Sequence, residues 1–309
     1  MIKPDLAVRL GGIAMPNPVT TASGTFGFGT EYEDYVKINR LGAITVKSIT
    51  LKPRAGNPPP RIVETVGGML NAVGLQNPGV DYFITEILPR LRAFQIPVIV
   101  SIAGETAEEY ATLAHRLDQI AGVDGLEVNI SCPNVKKGGL QFSSDPSSAA
   151  FVVSAVKKET SLPIIVKLSP NVTDITVIAR SVAEAGADAL ALVNTLLGMA
   201  IDVRKKAPVL NNVIGGLSGP AIKPIAVRMV WQVSQAVDLP IIGMGGIIST
   251  LDALEFIMAG ATAIAVGTGN FYNPGTTLEI IDGLQKFCAE NNVDDIKQLQ
   301  GIAWKNNAS

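Results

Sequence analysis

Apolar residues in this chain gather in short runs, and between the runs lie longer stretches in which they recur every three or four positions. The runs Val19–Thr25, Gly42–Ser48, Pro97–Ala103, Gly125–Ser131, Pro163–Leu168, Ala187–Asn194, Pro240–Met244 and Ala261–Gly267 read as strands buried on both faces, the pattern of a parallel sheet covered by helices. The amphipathic stretches Thr30–Ile38, Gly79–Phe94, Thr106–Ile120, Ser147–Thr160, Asp174–Ala185, Lys223–Ala236, Thr250–Ala259 and Thr276–Asn291 give each strand a return helix. Asp174, Thr250 and Thr106 stand at helix starts, where a side-chain oxygen caps a free amide, and Gly186 and Gly260 close helices in the left-handed conformation. Eight such alternations favour a closed (β/α)8 TIM barrel over an open sheet. Barrels of roughly 250 residues plus insertions form one domain, so residues 1–309 are expected to be a single domain.

Two connections, Ile49 to Pro78 and Thr195 to Pro220, are too long for plain turns. Both follow strand C-terminal ends, the face on which barrel active sites are assembled, and long loops in compact domains commonly carry function.

Composition narrows the function classes. A net charge of −2 offers no basic face for nucleic acid. The opening MIKPDLAVRLGGIAMPNP has neither an apolar signal run nor a basic amphipathic helix, and no stretch approaches the roughly 20 apolar residues of a membrane span. A cytoplasmic protein without membrane contact is expected. Neither Cys132 nor Cys288 has a CxxC neighbour or a nearby His, so no metal site or iron–sulfur cluster is expected on this chain. The only histidine, His115, falls mid-helix in EEYATLAHRLDQI, away from every candidate site, which removes Ser-His-Asp triads.

The remaining chemistry collects at strand ends. GMGGI (Gly243–Ile247) follows the seventh strand and VGTGN (Val266–Asn270) the eighth. Tight turns alone explain many glycine clusters, but two at these adjacent positions make a phosphate cradle, where backbone amides approach an anion closely. Lys47 ends the second strand and Lys167 the fifth, each inside an apolar run. The ordinary reading is a snorkelling lysine or a structural ion pair; the functional one is a pair of cations facing a bound cofactor, such as a flavin, whose reduced ring gathers negative charge near N1 and O2. NISCPN (Asn129–Asn134) places two amides and Cys132 on a catalytic-face loop, with Lys136 and Lys137 close behind to favour the thiolate and suit it to act as a base. Cys288, in LQKFCAE, reads as a buried inert thiol. Asn71 and Asn194 add further amides. Singly each satisfies a turn; converging, Asn71, Asn129, Asn134 and Asn194 match a neutral heterocycle with alternating C=O and N–H groups.

In chain order TVKSIT, NAVGLQNPG, NISCPN, GGLSGPAI, GMGGI and VGTG resemble the dihydroorotate dehydrogenases over nearly the whole chain. Cys132 in NISCPNVKKGG and the stretch LVNTLLGMAIDV resemble more narrowly the NAD-linked class 1B, whose catalytic subunit works with a separate electron-transfer subunit. The resemblance implies an FMN across the barrel mouth, a cysteine base that takes the C5 proton of dihydroorotate, and hydride transfer from C6 to flavin N5, giving orotate in de novo pyrimidine biosynthesis. It implies Cys132 as that base. The pyrimidine would be bound by Lys47, Asn71, Ala72, Val73, Gly74, Leu75, Asn129, Asn134, Asn194 and Thr195. FMN would be held by Ser23, Lys47, Ser48, Asn129, Lys167, Val193, Gly219, Gly245, Gly246, Gly267 and Thr268. Ser101, in SIAG, stands where relatives usually carry an Asn that touches FMN, and its shorter hydroxyl is assigned to the same contact, directly or through water.

A chain with neither cluster ligands nor a dinucleotide fingerprint does not by itself pass electrons to NAD. The expected partner carries FAD and a 2Fe-2S cluster, with a homodimer of catalytic subunits at the centre of a heterotetramer. The nearest alternative is the fumarate-linked homodimeric class, which shares the cysteine, the FMN and the fold. A non-catalytic barrel binding a phosphorylated ligand would need only the glycine clusters and leave Cys132 and the amides idle. The quinone-linked class, with a serine base and an N-terminal membrane segment, does not match.

Overall fold

A computed structural model describes residues 3–130 and 144–306. The chain starts with an antiparallel hairpin, β1 (Val8–Leu10) on β2 (Ile13–Met15), and then enters the barrel with β3 (Val19–Thr21) and β4 (Ile44–Ile49). After β5 (Ile62–Thr65) and β6 (Gly68–Asn71) come β7 (Val98–Ile102), β8 (Gly125–Asn129), β9 (Ile164–Lys167) and β10 (Ala189–Leu192). β11 (Leu196–Met199), a two-residue pairing of β12 (Ile201–Asp202) with β13 (Ala207–Pro208), and β14 (Ile214–Ser218) precede β15 (Ile241–Met244) and β16 (Ala263–Val266). All eight expected strands join one parallel sheet in the order β3-β16-β15-β10-β9-β8-β7-β4. β9, β10, β15 and β16 are buried at every position, which is why their sequences do not alternate.

Closure falls between β3 and β4, and threonine side chains make it. Thr21 Oγ1 donates to the Thr45 carbonyl at 3.1 Å and accepts from the Thr45 amide at 3.1 Å, while the hydroxyls of Thr20 and Thr45 meet at 3.2 Å. Gly42 is required beside this seam, because a Cβ there would lie 1.9 Å from the Asn17 carbonyl oxygen.

Helices lie between the strands. α1 (Val80–Tyr82) runs through a π-helical turn at Phe83–Ile87 into α2 (Leu88–Arg92). Then follow α3 (Ala107–Asp118), α4 (Pro146–Glu159), α5 (Ile175–Glu184), α6 (Lys223–Ser234), α7 (Thr250–Ala259), the short α8 (Gly269–Tyr272), α9 (Thr276–Glu290) and α10 (Ile302–Lys305). Thr106 and Asp174 cap α3 and α5 as expected, and Gly186 and Gly260 take positive φ at helix ends. The cap of α7 is Ser249 rather than Thr250: its hydroxyl accepts from the Asp252 amide at 3.3 Å, and Thr250 is the first helical residue. Among the described residues no helix is long and apolar enough to cross a membrane.

Two further expectations are corrected. Thr30–Ile38 is not a continuous helix but isolated 3-10 turns at Thr30–Tyr32 and Ile38–Arg40. Its buried residues, Val36 and Ile38, are two apart and supply no helical stripe, while Tyr32 is committed to stacking on Phe26 at 4.0 Å. The first strand stops at Thr21, and Ala22–Thr25 turns across the barrel mouth with Gly24 at φ 86°.

The two long connections pair with each other. β5, β6, β14 and β11 form an antiparallel sheet in the order β11-β14-β6-β5, with Leu217 opposite both Leu70 and Leu196. Glycine permits the approach: a Cβ on Gly68 would sit 2.0 Å from the Ser218 carbonyl oxygen, and one on Gly216 would sit 2.1 Å from Thr195 Oγ1.

Candidate active site

The C-terminal ends of the barrel strands and the antiparallel sheet above them enclose a cavity of ≈ 460 Å³, within the size range of small-molecule sites. Its walls gather residues far apart in sequence. Lys47 and Ser48 come from β4, Asn129 from the end of β8, and Lys167 from the end of β9. Val193, Asn194 and Thr195 follow β10, Gly245 and Gly246 follow β15, and Gly267 and Thr268 follow β16. Ser23 contributes from the turn after β3, and Gly219 from the end of β14. From above come Asn71 at the end of β6 and the Ala72, Val73, Gly74 and Leu75 segment behind it.

One expected site residue among those described, Ser101, is not on this wall. Cys132 and Asn134 lie outside the described residues. Ser101 is fully buried behind Ser48, and its hydroxyl shares a 2.8 Å hydrogen bond with the Ser48 hydroxyl. The short side chain therefore braces a wall residue from beneath instead of reaching the cavity.

The amides form a connected set. Asn194 Nδ2 donates to Asn129 Oδ1 at 3.3 Å, and Asn129 Nδ2 lies 3.4 Å from Ser48 Oγ, continuing the line to Ser101. Tyr110, fully buried on α3, donates its hydroxyl to the Asn129 carbonyl at 2.7 Å and fixes the end of β8. On the opposite wall Asn71 Nδ2 donates to the Gly216 carbonyl at 3.3 Å, tying the two halves of the upper sheet. Side-chain carbonyls and N–H groups thus face one cavity from both sides, a surface suited to a ring with alternating acceptors and donors.

The two lysines differ in company. Lys167 is buried, donates to Ser23 Oγ at 2.9 Å and lies 3.7 Å from Glu127 Oε1. Lys47 is half-buried, and among the described residues no carboxylate lies within ion-pair distance of it. Burial pushes its ammonium below its ordinary pKa, the Arg61 guanidinium pushes the same way, and Glu31 opposes both. A cation held under that pressure gains when an anion arrives.

The glycines on the wall form a close-fitting cradle. Gly245 and Gly246 have φ of 125° and 81°, and a Cβ on Gly246 would meet the Gly219 carbonyl oxygen and Lys223 Cβ at 2.8 Å each. Among the described residues the N–H groups of Gly246 and Thr268 find no acceptor. Thr268 donates its hydroxyl to Ser218 Oγ at 2.8 Å. Free amides at the ends of the seventh and eighth barrel strands fit a phosphate, and one cavity lined by that cradle and two lysines fits a phosphorylated ring cofactor such as FMN.

Some wall residues were missed in the sequence. Asn171 donates to the Thr195 carbonyl at 3.0 Å and accepts from the Leu197 amide at 2.9 Å, so it braces the loop after β10. It follows a strand end in SPNVTD, the same signal that marked Asn194. Asn57 is likewise on the wall and donates to the Ala72 carbonyl at 2.9 Å. Glu127 stands in GLEVN, and an acid inside an apolar strand was a legible signal of the buried pair. Outside the site, Cys288 is buried, with burial and then the Asp295 charge pushing its thiol up, and His115 is exposed beside Glu159.

Comparison with known proteins agrees with this geometry. The family model for dihydroorotate dehydrogenase matches residues 5–288. A protein of Desulforamulus reducens named dihydroorotate dehydrogenase B (NAD(+)), catalytic subunit, is 61% identical over 98% of this chain and 99% of its own. Proteins of the same name from Geotalea daltonii and Desulforudis audaxviator are each 59% identical, over 97% and 98% of this chain respectively and 99% of their own. A match across almost the full length of both partners, on a (β/α)8 barrel whose cavity gathers the motif residues, leaves one conclusion: this chain belongs to the dihydroorotate dehydrogenase family.

Proposed function

We propose that this chain, as one barrel domain, is the catalytic subunit of an NAD-linked dihydroorotate dehydrogenase, oxidising dihydroorotate to orotate in pyrimidine synthesis. One observation carries the reading. A single cavity is lined both by Lys47, Asn71, Asn129 and Asn194 and by the glycine cradle at Gly245, Gly246, Gly267 and Thr268, so groups suited to a pyrimidine and groups suited to a flavin phosphate share one enclosure.

FMN, one per chain, supplies the hydride acceptor when bound. The rest of the work belongs to the protein. Ser23, Ser48, Lys167, Val193 and Gly219 line the cavity and would hold the cofactor, while Lys47 and Asn129 would touch both substrate and cofactor. Dihydroorotate is an anion, and Lys47 is the cation without a carboxylate of its own among the described residues. The linked amides of Asn129 and Asn194, with Asn71 across the cavity, orient the ring through its carbonyls and N–H groups. Thr195 and the Ala72, Val73, Gly74 and Leu75 backbone complete the enclosure. Ile62, Leu197 and Ile214, each more than half exposed, line the same cavity. Cys132 removes the C5 proton, and Asn134 adds the fourth amide; both roles follow from the family motif NISCPN. Electrons leave for NAD through a partner subunit with FAD and a 2Fe-2S cluster, two copies of each chain making a heterotetramer, and the names of the relatives cited support that acceptor.

The test is anaerobic. Dihydroorotate added to the purified yellow chain should bleach it, NAD should restore the colour only with the partner present, and fumarate should fail; colour restored by fumarate alone would favour the homodimeric class. Cys132→Ala should retain FMN and bleach at least about a hundredfold more slowly, the usual scale of a lost general base.

A further inference from the structure

We propose that Glu127 sets the charge Lys167 presents to the cofactor, so that the two mouth lysines are not equivalent: Lys47 acts as a net cation, and Lys167 as the positive end of a neutral pair. This rests on the reading that FMN lies across the barrel mouth.

Glu127 sits on β8 two residues before Asn129 and therefore points to the same face, one layer deeper in the barrel. Asn129 is in register with Lys167 on β9 and Glu127 with Ile165, so Glu127 lies one layer below the lysine that the mouth displays, on the neighbouring strand. The carboxylate is 1% exposed, the lysine 6%, and Oε1 is 3.7 Å from Nζ. Lys167 spends a hydrogen bond on Ser23 Oγ at 2.9 Å, and Glu127 Oε1 has no hydrogen-bond partner among the described residues. A buried carboxylate oxygen without a hydrogen bond is costly, and an apolar or amide side chain would fill the same core position more comfortably. What the acid supplies there is a fixed negative charge under a cation that faces the cavity. Lys47 has no such counter-charge among the described residues.

The electrostatic consequence is directional. A reduced flavin gathers negative charge, so a positive mouth favours the reduced form, and a negative charge beneath Lys167 offsets part of that preference. A purely architectural pair would alter folding stability and leave this balance alone.

The experiment measures the ratio of reduced to oxidised FMN on the holoenzyme at fixed ambient potential by dye-coupled titration, for wild type, Glu127→Gln, Glu127→Asp, Lys167→Gln and the double variant Glu127→Gln/Lys167→Gln. Glu127→Gln should raise the ratio about tenfold, equivalent to about 30 mV for a two-electron couple. Lys167→Gln should lower it by a similar factor or more, because it leaves the carboxylate uncompensated. Glu127→Asp, which keeps the charge, should stay close to wild type. The double variant exchanges one neutral pair for another and should return to within about threefold of wild type, under half the tenfold step on a logarithmic scale. If Glu127→Gln alone does not fold, the double variant, which leaves no charge of this pair buried, decides the matter. An unchanged ratio in yellow Glu127→Gln protein, or a double variant that falls as far as Lys167→Gln, overturns the proposal. A wild-type chain that binds no FMN overturns the parent reading and takes this one with it.

Discussion

Lys47 is the residue on which most of the proposed chemistry converges, and its ionisation gives a measurable signature. Burial, then Arg61, holds its pKa below the ordinary value, against the pull of Glu31. Between the lowered folded value and 10.5 the unfolded chain binds more protons than the folded one, so stability rises with pH through that window. Below the window the full penalty of the buried cation is present. In FMN-stripped protein Lys47→Met should therefore raise the denaturant midpoint at neutral pH, and that advantage should shrink as pH climbs toward 10.5. In the holoenzyme the same change should raise KM for dihydroorotate roughly tenfold or more, since a hydrogen bond to a charged group contributes about 1.5–3 kcal/mol. The lysine's importance was legible from its place in an apolar run; that Lys167 carries a buried counter-charge and Lys47 stands without one among the described residues was not, because Glu127 meets Lys167 only across two neighbouring strands. Ser101 makes the same point: the sequence put it on a strand of the barrel, and only packing turned its hydroxyl to Ser48 and away from the cavity.

Among the elements, α7 shows how a cradle is kept in shape. Its cap, Ser249, accepts from the Asp252 amide, while the Asp252 carboxylate accepts from the Ser249 hydroxyl at 2.8 Å, the Ile248 amide at 3.1 Å and Lys223 Nζ at 2.6 Å. This joins the helix start to the loop that carries Gly245 and Gly246. Burial pushes the Asp252 carboxyl up, but the bonds from Lys223, Ser249 and Ile248 together outweigh it and hold the group below 3.8. Its contribution is therefore complete above the unfolded value and lost as pH falls through the folded one. Asp252→Asn should flatten the acid limb of the stability curve below about pH 4, read by guanidinium unfolding. Ser249→Ala should cost about 1 kcal/mol across the pH range, the usual loss on removing a cap. The existence of this helix and its start at Thr250 were plain from its apolar spacing, and only its cap was placed one residue late, because adjacent Ser249 and Thr250 are both competent caps.

For the molecule as a whole, the cavity links ligand binding to stability. FMN at a hundredfold excess over its Kd should add about 2.7 kcal/mol. For a chain of this size that is a rise in Tm of several degrees, measurable by calorimetry on stripped and loaded protein. Sequence by itself determined the barrel, since eight doubly buried strands and their amphipathic return helices are written in local periodicity, and each strand pairs with neighbours that the parallel architecture dictates. It also determined the chemical vocabulary, because lysines and amides at strand ends and glycines after the seventh and eighth strands have few other uses together. Tertiary structure alone decided the upper sheet: β6 and β14 meet across 145 residues, between Asn71 and Gly216, and nothing local specifies a register between segments so distant. It likewise decided where Thr30–Ile38 abandons its helix for packing against Phe26 and which lysine keeps a buried partner. Local pattern fixes which way a side chain points from its own strand; the charge or surface it meets there is set by a neighbour that only folding delivers.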